Sequence, residues 1–312
     1  MDGYRIVGRS HDPSESGIVT IQNERLTRRA ASITLFTAVL WGGNSVAIKV
    51  ALAGVPPLAL AGFRFFLGGL FIVTWCLISR TSVRLAHGEL SRILSLLVLF
   101  IAQIGLLNAG TEHTLAARST VFISAYPFFT ALFAHLFIPG DQSGPSRFYG
   151  MALSFSGVLL VFGESLARAE WNYLGGDLMV LASATLLGAR QVYTKHLAQD
   201  IVPTRLLVWQ SGLSLPIFFG MSALLERPLD LALTPDVNAG ILYQGFVIAG
   251  FCFLVMTNLL KRYRASQIGV YGFVTPIFGV FLSHLLLSEP LSPGLLISVV
   301  LVGGGIALAN RN

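Results

Sequence analysis

The chain contains ten runs of about twenty mostly apolar residues, and these runs constrain its fold more than any other feature. A helix needs about 20 such residues to cross the hydrocarbon layer of a bilayer. A spanning segment must also pair its own backbone groups, because lipid offers them no hydrogen-bond partner. The runs lie near residues 31–53, 57–79, 91–110, 115–138, 147–165, 174–196, 203–225, 238–260, 265–287 and 293–310. The sequence therefore predicts an all-α membrane protein with ten transmembrane helices.

Composition and charge exclude several other classes of protein. Charged residues make up 12% of the chain, about half of what soluble domains carry. The net charge of +6 could suggest a nucleic-acid partner, but the basic residues lie mainly between the apolar runs. Cys76 and Cys252 both lie inside runs, which argues against a disulfide framework and a cysteine metal site. We expect a lipid bilayer around the chain, and no nucleic acid, metal or cofactor.

The distribution of lysine and arginine predicts which side of the membrane each loop faces. If the N-terminus is cytoplasmic, fifteen of the 21 basic residues fall on the cytoplasmic side and four on the other side. This asymmetry is the one that the positive-inside rule requires. Residues 1–30 are polar and mixed in charge, unlike a cleaved signal or a transit peptide. We therefore predict a cytoplasmic segment over 1–30 and a multi-pass protein of the cell (inner) membrane, with both termini cytoplasmic.

Two segments of the first half recur in the second half. A shift of 146 residues places 41–49 on 187–195, and a shift of 149 places 125–136 on 274–285. The matched residues are Gly42 and Gly188, Val46 and Val192, Lys49 and Lys195, Pro127 and Pro276, Phe129 and Phe278, and His135 and His284. Pro57 and Pro203 also match, eight residues after the lysines at the shift of 146. We therefore divide the chain into repeats at 31–165 and 174–310. Because each repeat has five spans, the second is inverted, an arrangement found in secondary transporters with a site near the bilayer midplane.

With these residues in view, the chain resembles the drug/metabolite transporter superfamily, specifically its bacterial EamA type. The resemblance rests on Trp-Gly-Gly-Asn (41–44), Phe-Arg-Phe (63–65), the Ala-rich span entries with a later proline (116–127 and 265–276) and Ser-Glu-Pro-Leu-Ser (288–292). It implies ten spans around a central cavity and export of amino acids or other metabolites. The acidic residue that the family carries after the fourth span is absent, since Ile-Pro-Gly-Asp (138–141) stands there. Only the second half keeps it, as Glu289.

Arg64 and Arg190 lie within predicted spans, where a charged group is costly and is a functional candidate by default. Each could bind a substrate carboxylate or phosphate through two hydrogen bonds. Alternatively, Arg64 could pair with carbonyl groups at a helix end, and Arg190 could extend towards the membrane surface. Their repeat partners, Gln210 and Asn44, are polar as well, which favours the functional interpretation.

Other polar and aromatic residues are candidates of three kinds. The further candidates for substrate binding are Trp41, Asn44, Gln103, Gln191, Tyr193, Trp209, Gln210, Asn258 and Tyr271. Asn44 could instead join neighbouring helices. His135 and His284 could carry a coupled proton or could simply pack at helix ends. Pro127 and Pro276 could form helix kinks or gates, or could only shape packing.

Small residues recur at helical spacing in the fifth and tenth runs. Gly150-x-x-x-Ser154 and Gly303-x-x-x-Ala307 permit close helix approach, either within the chain or in a homodimer. The chain has no Gly-Lys-Ser/Thr phosphate loop, so the sequence predicts that it does not hydrolyse ATP.

Four functions are compatible with the sequence, and transport is favoured. The first is a secondary transporter that moves an amino acid or similar metabolite by alternating access, as an exporter. The second is a nucleotide-sugar or phosphorylated-metabolite exchanger, favoured if Arg64 and Arg190 converge on one anion. The third is a membrane-embedded lipid-handling enzyme, which would need a His, Asp or Glu cluster at one membrane face. The fourth is a non-transporting membrane subunit without a central cavity.

Overall fold

The computed structural model describes residues 21–141, 144–167, 171–226 and 231–309. Within these residues the regular structure is helical, apart from one isolated parallel β-bridge between Glu24 and Tyr263. The α-helices are α1 (Arg28–Gly42), α2 (Asn44–Leu52), α3 (Pro57–Ile78), α4 (Glu89–Glu112), α5 (Ala116–Ile123), α6 (Tyr126–Phe137), α7 (Pro145–Ala167), α8 (Trp171–Asp200), α9 (Pro203–Leu225), α10 (Pro235–Leu242), α11 (Phe253–Arg262), α12 (Ala265–Tyr271), α13 (Thr275–Leu287) and α14 (Pro293–Ala309).

Helices overlap every predicted apolar run, and their ends differ from the predicted ends by at most a few residues. Seven helical segments in the described part of the chain are long and apolar enough to cross a membrane. These segments are Arg28–Leu52, Pro57–Ile78, Glu89–Glu112, Ala116–Phe137, Pro203–Leu225, Pro235–Arg262 and Ala265–Leu287. The remaining three predicted runs correspond to α7, α8 and α14, which are helical but lie outside this set. The protein is therefore an α-helical, multi-pass membrane protein, and ten spans remain a prediction.

Several of the long segments are interrupted. The sequence offered kinks at Pro127 and Pro276 as one interpretation, but it did not predict the other interruptions. A turn at Gly43 separates α1 from α2, and residues 124–125 separate α5 from α6. A π-helix (Tyr243–Cys252) joins α10 to α11, and a short 3₁₀ turn (Gly272–Val274) joins α12 to α13. Pro127 and Pro276 are each the second residue of a helix, α6 and α13. A proline costs nothing there because that N–H has no intrahelical partner, so each helix is interrupted before its proline.

The two halves pack on each other through a contact that occurs twice. A Cβ added to Gly42 of α1 would lie 2.7 Å from the Cβ of Phe278 in α13. A Cβ added to Gly188 of α8 would lie 2.6 Å from the Cβ of Phe129 in α6. The repeat shifts of 146 and 149 residues relate the two glycines and the two phenylalanines, respectively. Glycine is thus required at both positions so that one half can approach the other.

Lys49 and Lys195, a matched pair in the repeat, each bind carbonyl groups at the C-terminal end of a helix. Lys49 Nζ donates to the carbonyls of Thr111, Glu112 and Thr114 at 3.1, 2.9 and 2.6 Å. Lys195 Nζ donates to those of Leu260, Tyr263 and Gln22 at 3.2, 2.7 and 2.7 Å. A cation is favourable at a helix C-terminus because the unpaired carbonyls there are partly negative. We use these lysines to name the two ends of the helical bundle, the Lys49 end and the Lys195 end.

Two carboxylates bind the N-terminal ends of equivalent helices. Glu289 accepts hydrogen bonds from the backbone N–H groups of Ala116 and Ala117 at 2.7 and 2.8 Å, at the start of α5. Asp141 accepts from the Ser266 N–H at 3.2 Å and from its hydroxyl group, at the start of α12. The shift of 149 residues relates Ala117 to Ser266. The sequence interpretation that only the second half keeps this acid is therefore corrected, since Asp141 performs the same role.

Removing either carboxylate should destabilise the protein, because the first N–H groups of a buried helix would lose their acceptors. We expect Glu289→Ala and Asp141→Ala each to cost about 1–2 kcal/mol, the upper part of the range for helix caps. Glu112→Ala is a matched control, since this exposed carboxylate caps no helix start in the described structure. Thermal unfolding in detergent measures the effect. Equal unfolding temperatures for Glu289→Ala and Glu112→Ala would contradict the capping role.

The small residues of the fifth run serve packing within the chain. Gly150 and Ser154 of α7 lie directly against Gly305 of α14, and a Cβ added to Gly157 would lie 2.8 Å from the Ser298 carbonyl oxygen. Close backbone approach of this kind requires small residues on both helices. Gly303, in contrast, has open space beside its Cα. A homodimer through this second motif remains a prediction.

Candidate functional site

A central cavity of about 80 Å³ lies between helices of both halves. Seven predicted substrate-binding residues line it, namely Trp41, Asn44, Arg64, Gln103, Arg190, Gln191 and Gln210. Both repeat-related pairs, Asn44 with Arg190 and Arg64 with Gln210, are among them. The structure therefore brings together the polar positions that the repeat alignment paired.

Arg64 is the central residue of Phe-Arg-Phe on α3, and its side chain is almost fully buried, with a relative exposure of 1%. Its guanidinium carbon lies 5.3 Å from the ring centre of Phe65 and 5.8 Å from that of Phe253. Cation–π contacts of this length stabilise a desolvated guanidinium. Two of its nitrogens, Nε and Nη1, have no hydrogen-bond partner in the described structure. Arg64 thus presents unpaired donors beside the cavity.

Arg190 of α8 is buried beside the same aromatic ring. Its guanidinium carbon lies 5.1 Å from the ring centre of Phe253 and 5.2 Å from that of Phe100. Its Nη1 atom also has no hydrogen-bond partner among the described residues. Arg64 and Arg190 come from different halves, and Phe253 lies next to both. The two cations are therefore neighbours in one cavity.

The described cavity lining carries two guanidinium groups and no carboxylate. Removing charges from water costs several kcal/mol per ion unless a partner of opposite charge compensates. The lining also contains two buried acceptors without partners, Asn44 Oδ1 and Gln103 Oε1. A buried group left without its hydrogen bond costs about 1–3 kcal/mol. The cavity can therefore bind an anionic group at the arginines and a hydrogen-bond donor at the two amide oxygens.

Contacts between the two halves hold the amide side chains of the cavity. Gln103 Nε2 donates to the Ser183 hydroxyl oxygen at 2.9 Å, and that hydroxyl donates to the Gln103 carbonyl at 2.8 Å. The Thr130 hydroxyl donates to Gln191 Oε1 at 3.3 Å. Both contacts join α8 to a helix of the first half. Because these hydrogen bonds fix the side-chain amides, they set which amide atoms remain free.

Four other predicted substrate-binding residues do not line the central cavity. Tyr193 and Trp209 pack in a small apolar cluster, where the Trp209 indole N–H donates to the Val83 carbonyl at 2.8 Å. Asn258 is exposed, and its side-chain amide donates to a carbonyl of its own helix, one turn earlier. Tyr271 is half-buried and lies outside the lining.

The two predicted proton-coupling histidines also lie outside the central cavity. His135 is exposed and lines a separate surface groove beside Tyr149. His284 is exposed, and its Nδ1 lies 2.9 Å from the Glu289 carbonyl oxygen. The structure does not bring the two histidines to the arginines. Their role in coupling remains a prediction.

Sequence reasoning missed several residues of the lining. These are Ser45, Tyr126, Thr194, Thr257 and Thr275, together with apolar residues that include Phe253. Tyr126 immediately precedes Pro127 in the repeated segment, so its position could have drawn attention to it. The hydroxyl residues gave no comparable indication, because serine and threonine are common inside apolar helices.

Relatives of the chain are transporters. The chain is 24% identical to "Uncharacterized transporter YoaV" of Bacillus subtilis, over 88% of this chain and 93% of that protein. It is 26% identical to a "Probable amino-acid metabolite efflux pump" of Escherichia coli, over 90% and 94% of the two chains. It is 24% identical to an "S-adenosylmethionine/S-adenosylhomocysteine transporter" of Chlamydia trachomatis, over 86% and 85%.

A structural comparison and a family comparison give the same result as these relatives. A solved structure with 20% sequence identity superposes with a TM-score of 0.74 and covers 91% of this chain and 99% of its own chain. The model of the EamA-like transporter family matches the sequence twice, over residues 28–163 and again over residues 174–311. Together the two matches account for nearly the whole chain. The chain therefore belongs to the EamA-like transporter family.

Proposed function

We propose that this transporter moves a small metabolite with an anionic group, an amino acid or a similar compound, by alternating access. The observation that carries this proposal is the placement of Arg64 and Arg190 beside one ring in a cavity whose described lining has no acid. A carboxylate accepts two parallel hydrogen bonds from a guanidinium. Binding would therefore supply the partner that both buried cations lack in the described structure.

The same proposal includes ten spans, arranged as inverted repeats over 31–165 and 174–310 with both termini cytoplasmic. The separate family matches to each half support the repeat boundaries. The duplicated contacts of Gly42 and Gly188, and of Lys49 and Lys195, support a pseudo-twofold relation between the halves. Two related halves can adopt two related conformations, each open to one side of the membrane. Rocking of the halves about the arginines would then move the bound metabolite.

An amino acid suits both kinds of unpaired atom in the cavity. Its carboxylate would accept from Arg64 and Arg190, and its amino group would donate to Asn44 Oδ1 and Gln103 Oε1. A relative is named as an amino-acid metabolite efflux pump, which supports this substrate class and the export direction. The described lining contains no acidic side chain that would favour a cationic substrate.

A phosphorylated metabolite is the second candidate. Two guanidinium groups offer more donors than one carboxylate can accept, and arginine is well suited to phosphate oxygens. The proximity of Arg64 and Arg190 to one ring favours this candidate. An amino acid uses the two amide acceptors, whereas a phosphate ester uses mainly the arginines. The two candidates therefore differ in which substitutions should affect them.

Counterflow in proteoliposomes tests the function and separates the candidates. We expect that vesicles preloaded with an amino acid or a phosphorylated metabolite accumulate the labelled compound, with and without a pH gradient. Anionic and zwitterionic compounds should be accepted and purely cationic ones refused, because the described lining bears two positive charges. Empty vesicles are the control for leakage. Counterflow of cationic compounds alone would contradict the anion site, and absence of counterflow with every compound would contradict transport.

A further inference from the structure

Residues 21–27 lie across the Lys195 end of the helical bundle, immediately before α1, and we call this segment the strap. Its backbone pairs with the loop between α11 and α12. The Glu24 N–H donates to the Arg262 carbonyl at 3.1 Å, and the Arg264 N–H donates to the Glu24 carbonyl at 3.3 Å. The Glu24 carboxylate also forms an ion pair with Arg262 at 2.7 Å. The strap is therefore attached to this loop by one isolated parallel β-bridge and by an ion pair.

Further hydrogen bonds attach the strap to α8 and to the end of α6. The Gln22 N–H donates to Gln199 Oε1 at 3.0 Å, and its carbonyl accepts from Lys195 at 2.7 Å. The Asn23 side-chain amide donates to the Pro139 carbonyl at 2.7 Å. The apolar side chains of residues 21 and 26 pack against the buried cluster beneath. The strap is thus bound by helices of both halves.

The strap is where the two ends of the bundle differ. At the Lys49 end, all three carbonyls that bind the lysine come from residues 111–114. At the Lys195 end, two come from the equivalent residues and the third comes from Gln22 of the strap. The buried cation that holds the end of α11 therefore also holds the strap. Nothing equivalent to the strap binds Lys49 in the described structure.

We propose that the strap is a latch that must release from the α11–α12 loop whenever the Lys195 end opens. The strap continues into α1 of the first half, but its backbone partners belong to the second half. Separation of the halves at this end would pull Glu24 away from Arg262 and Arg264. The latch thereby stabilises the closed Lys195 end and makes the two conformations of the transporter unequal in free energy. This inference rests on the proposed alternating access.

A reversible crosslink tests the latch. Glu24 and Tyr263 are opposite each other in the parallel bridge, so Glu24→Cys with Tyr263→Cys should form a disulfide between strap and loop. We expect that oxidation of this variant stops counterflow and that reduction restores it. The native Cys76 and Cys252 are buried, with exposures of 3% and 0%, and Glu24→Cys alone controls for the oxidant. Equal counterflow by the oxidised and reduced double variant would overturn the latch.

A second measurement needs no transport and so separates failure of the latch from failure of the proposed function. Thr257→Cys places a thiol in the cavity lining of α11. Glu24→Pro removes the N–H that binds Arg262. We expect Glu24→Pro to raise the rate at which a water-soluble maleimide labels that thiol in detergent. The expected increase is up to about tenfold, which corresponds to the free energy of one hydrogen bond.

The matched control is Arg92→Glu, which disrupts an exposed ion pair with Asp200 at the same end without touching the strap. It should leave the labelling rate unchanged. A labelling rate that rises with Glu24→Pro but not with Arg92→Glu would support the latch, even if no compound showed counterflow. An unchanged rate with Glu24→Pro, or an equal rise with Arg92→Glu, would overturn it.

Discussion

Arg64→Met should reduce transport at least about a hundredfold while leaving the protein as stable as before or more stable. The loss of transport follows because hydrogen bonds from a charged donor contribute about 1.5–3 kcal/mol each, and the variant would lose two of them. The gain in stability follows because Arg64 is buried at 1% exposure and has two nitrogens without a partner in the described structure. Replacing a buried ion by an apolar side chain of similar volume is often neutral or stabilising.

The opposite signs of these two effects distinguish a substrate-binding arginine from a structural one. Counterflow initial rates and thermal unfolding of the same preparations provide both measurements. Arg64→Lys should retain partial transport, since lysine keeps the positive charge but lacks the planar guanidinium group that donates two parallel hydrogen bonds. Arg92→Met is the matched control, because its exposed ion pair with Asp200 lies outside the cavity. Transport by Arg64→Met at the normal rate, or a matching loss of stability, would remove Arg64 from the binding site.

The sequence was sufficient to locate the helices and the polar centre of the protein. Hydropathy located the helices, because a run of about twenty apolar residues is typical of a membrane-spanning helix. The repeat alignment paired Asn44 with Arg190 and Arg64 with Gln210, and all four line the cavity. A buried charge such as Arg64 is rare enough in an apolar run to attract attention on its own.

Other features depend on geometry that the sequence does not express. Asn258 and Asn44 both lie in apolar helices, yet one is exposed and the other lines the cavity. Hydropathy cannot separate them, since both the lipid and the protein interior are apolar. Asp141 is named in the sequence analysis but is not matched to Glu289 there, because it lies one residue out of register under the shift of 149. Its shorter side chain still reaches the start of α12.

Asp177→Asn should lower the stability of the protein by about 3–5 kcal/mol, more than any other single substitution considered above. The Asp177 side chain is fully buried on α8 and forms an ion pair with Arg118 of α5. It also accepts a hydrogen bond from the Thr114 hydroxyl at 2.6 Å. Removing the carboxylate charge leaves the Arg118 guanidinium buried without this partner. Because the pair joins the first half to the second, the Lys49 end should loosen when the charge is lost.

Two comparisons make this prediction specific to burial. Asp200→Asn breaks an ion pair whose side chains are each 35% exposed, and such pairs contribute at most about 1 kcal/mol. Arg118→Leu combined with Asp177→Leu should recover most of the lost stability, since neither buried charge remains. Thermal unfolding in detergent ranks the three variants. If Asp177→Asn and Asp200→Asn lower the unfolding temperature equally, the buried pair does not hold the Lys49 end together.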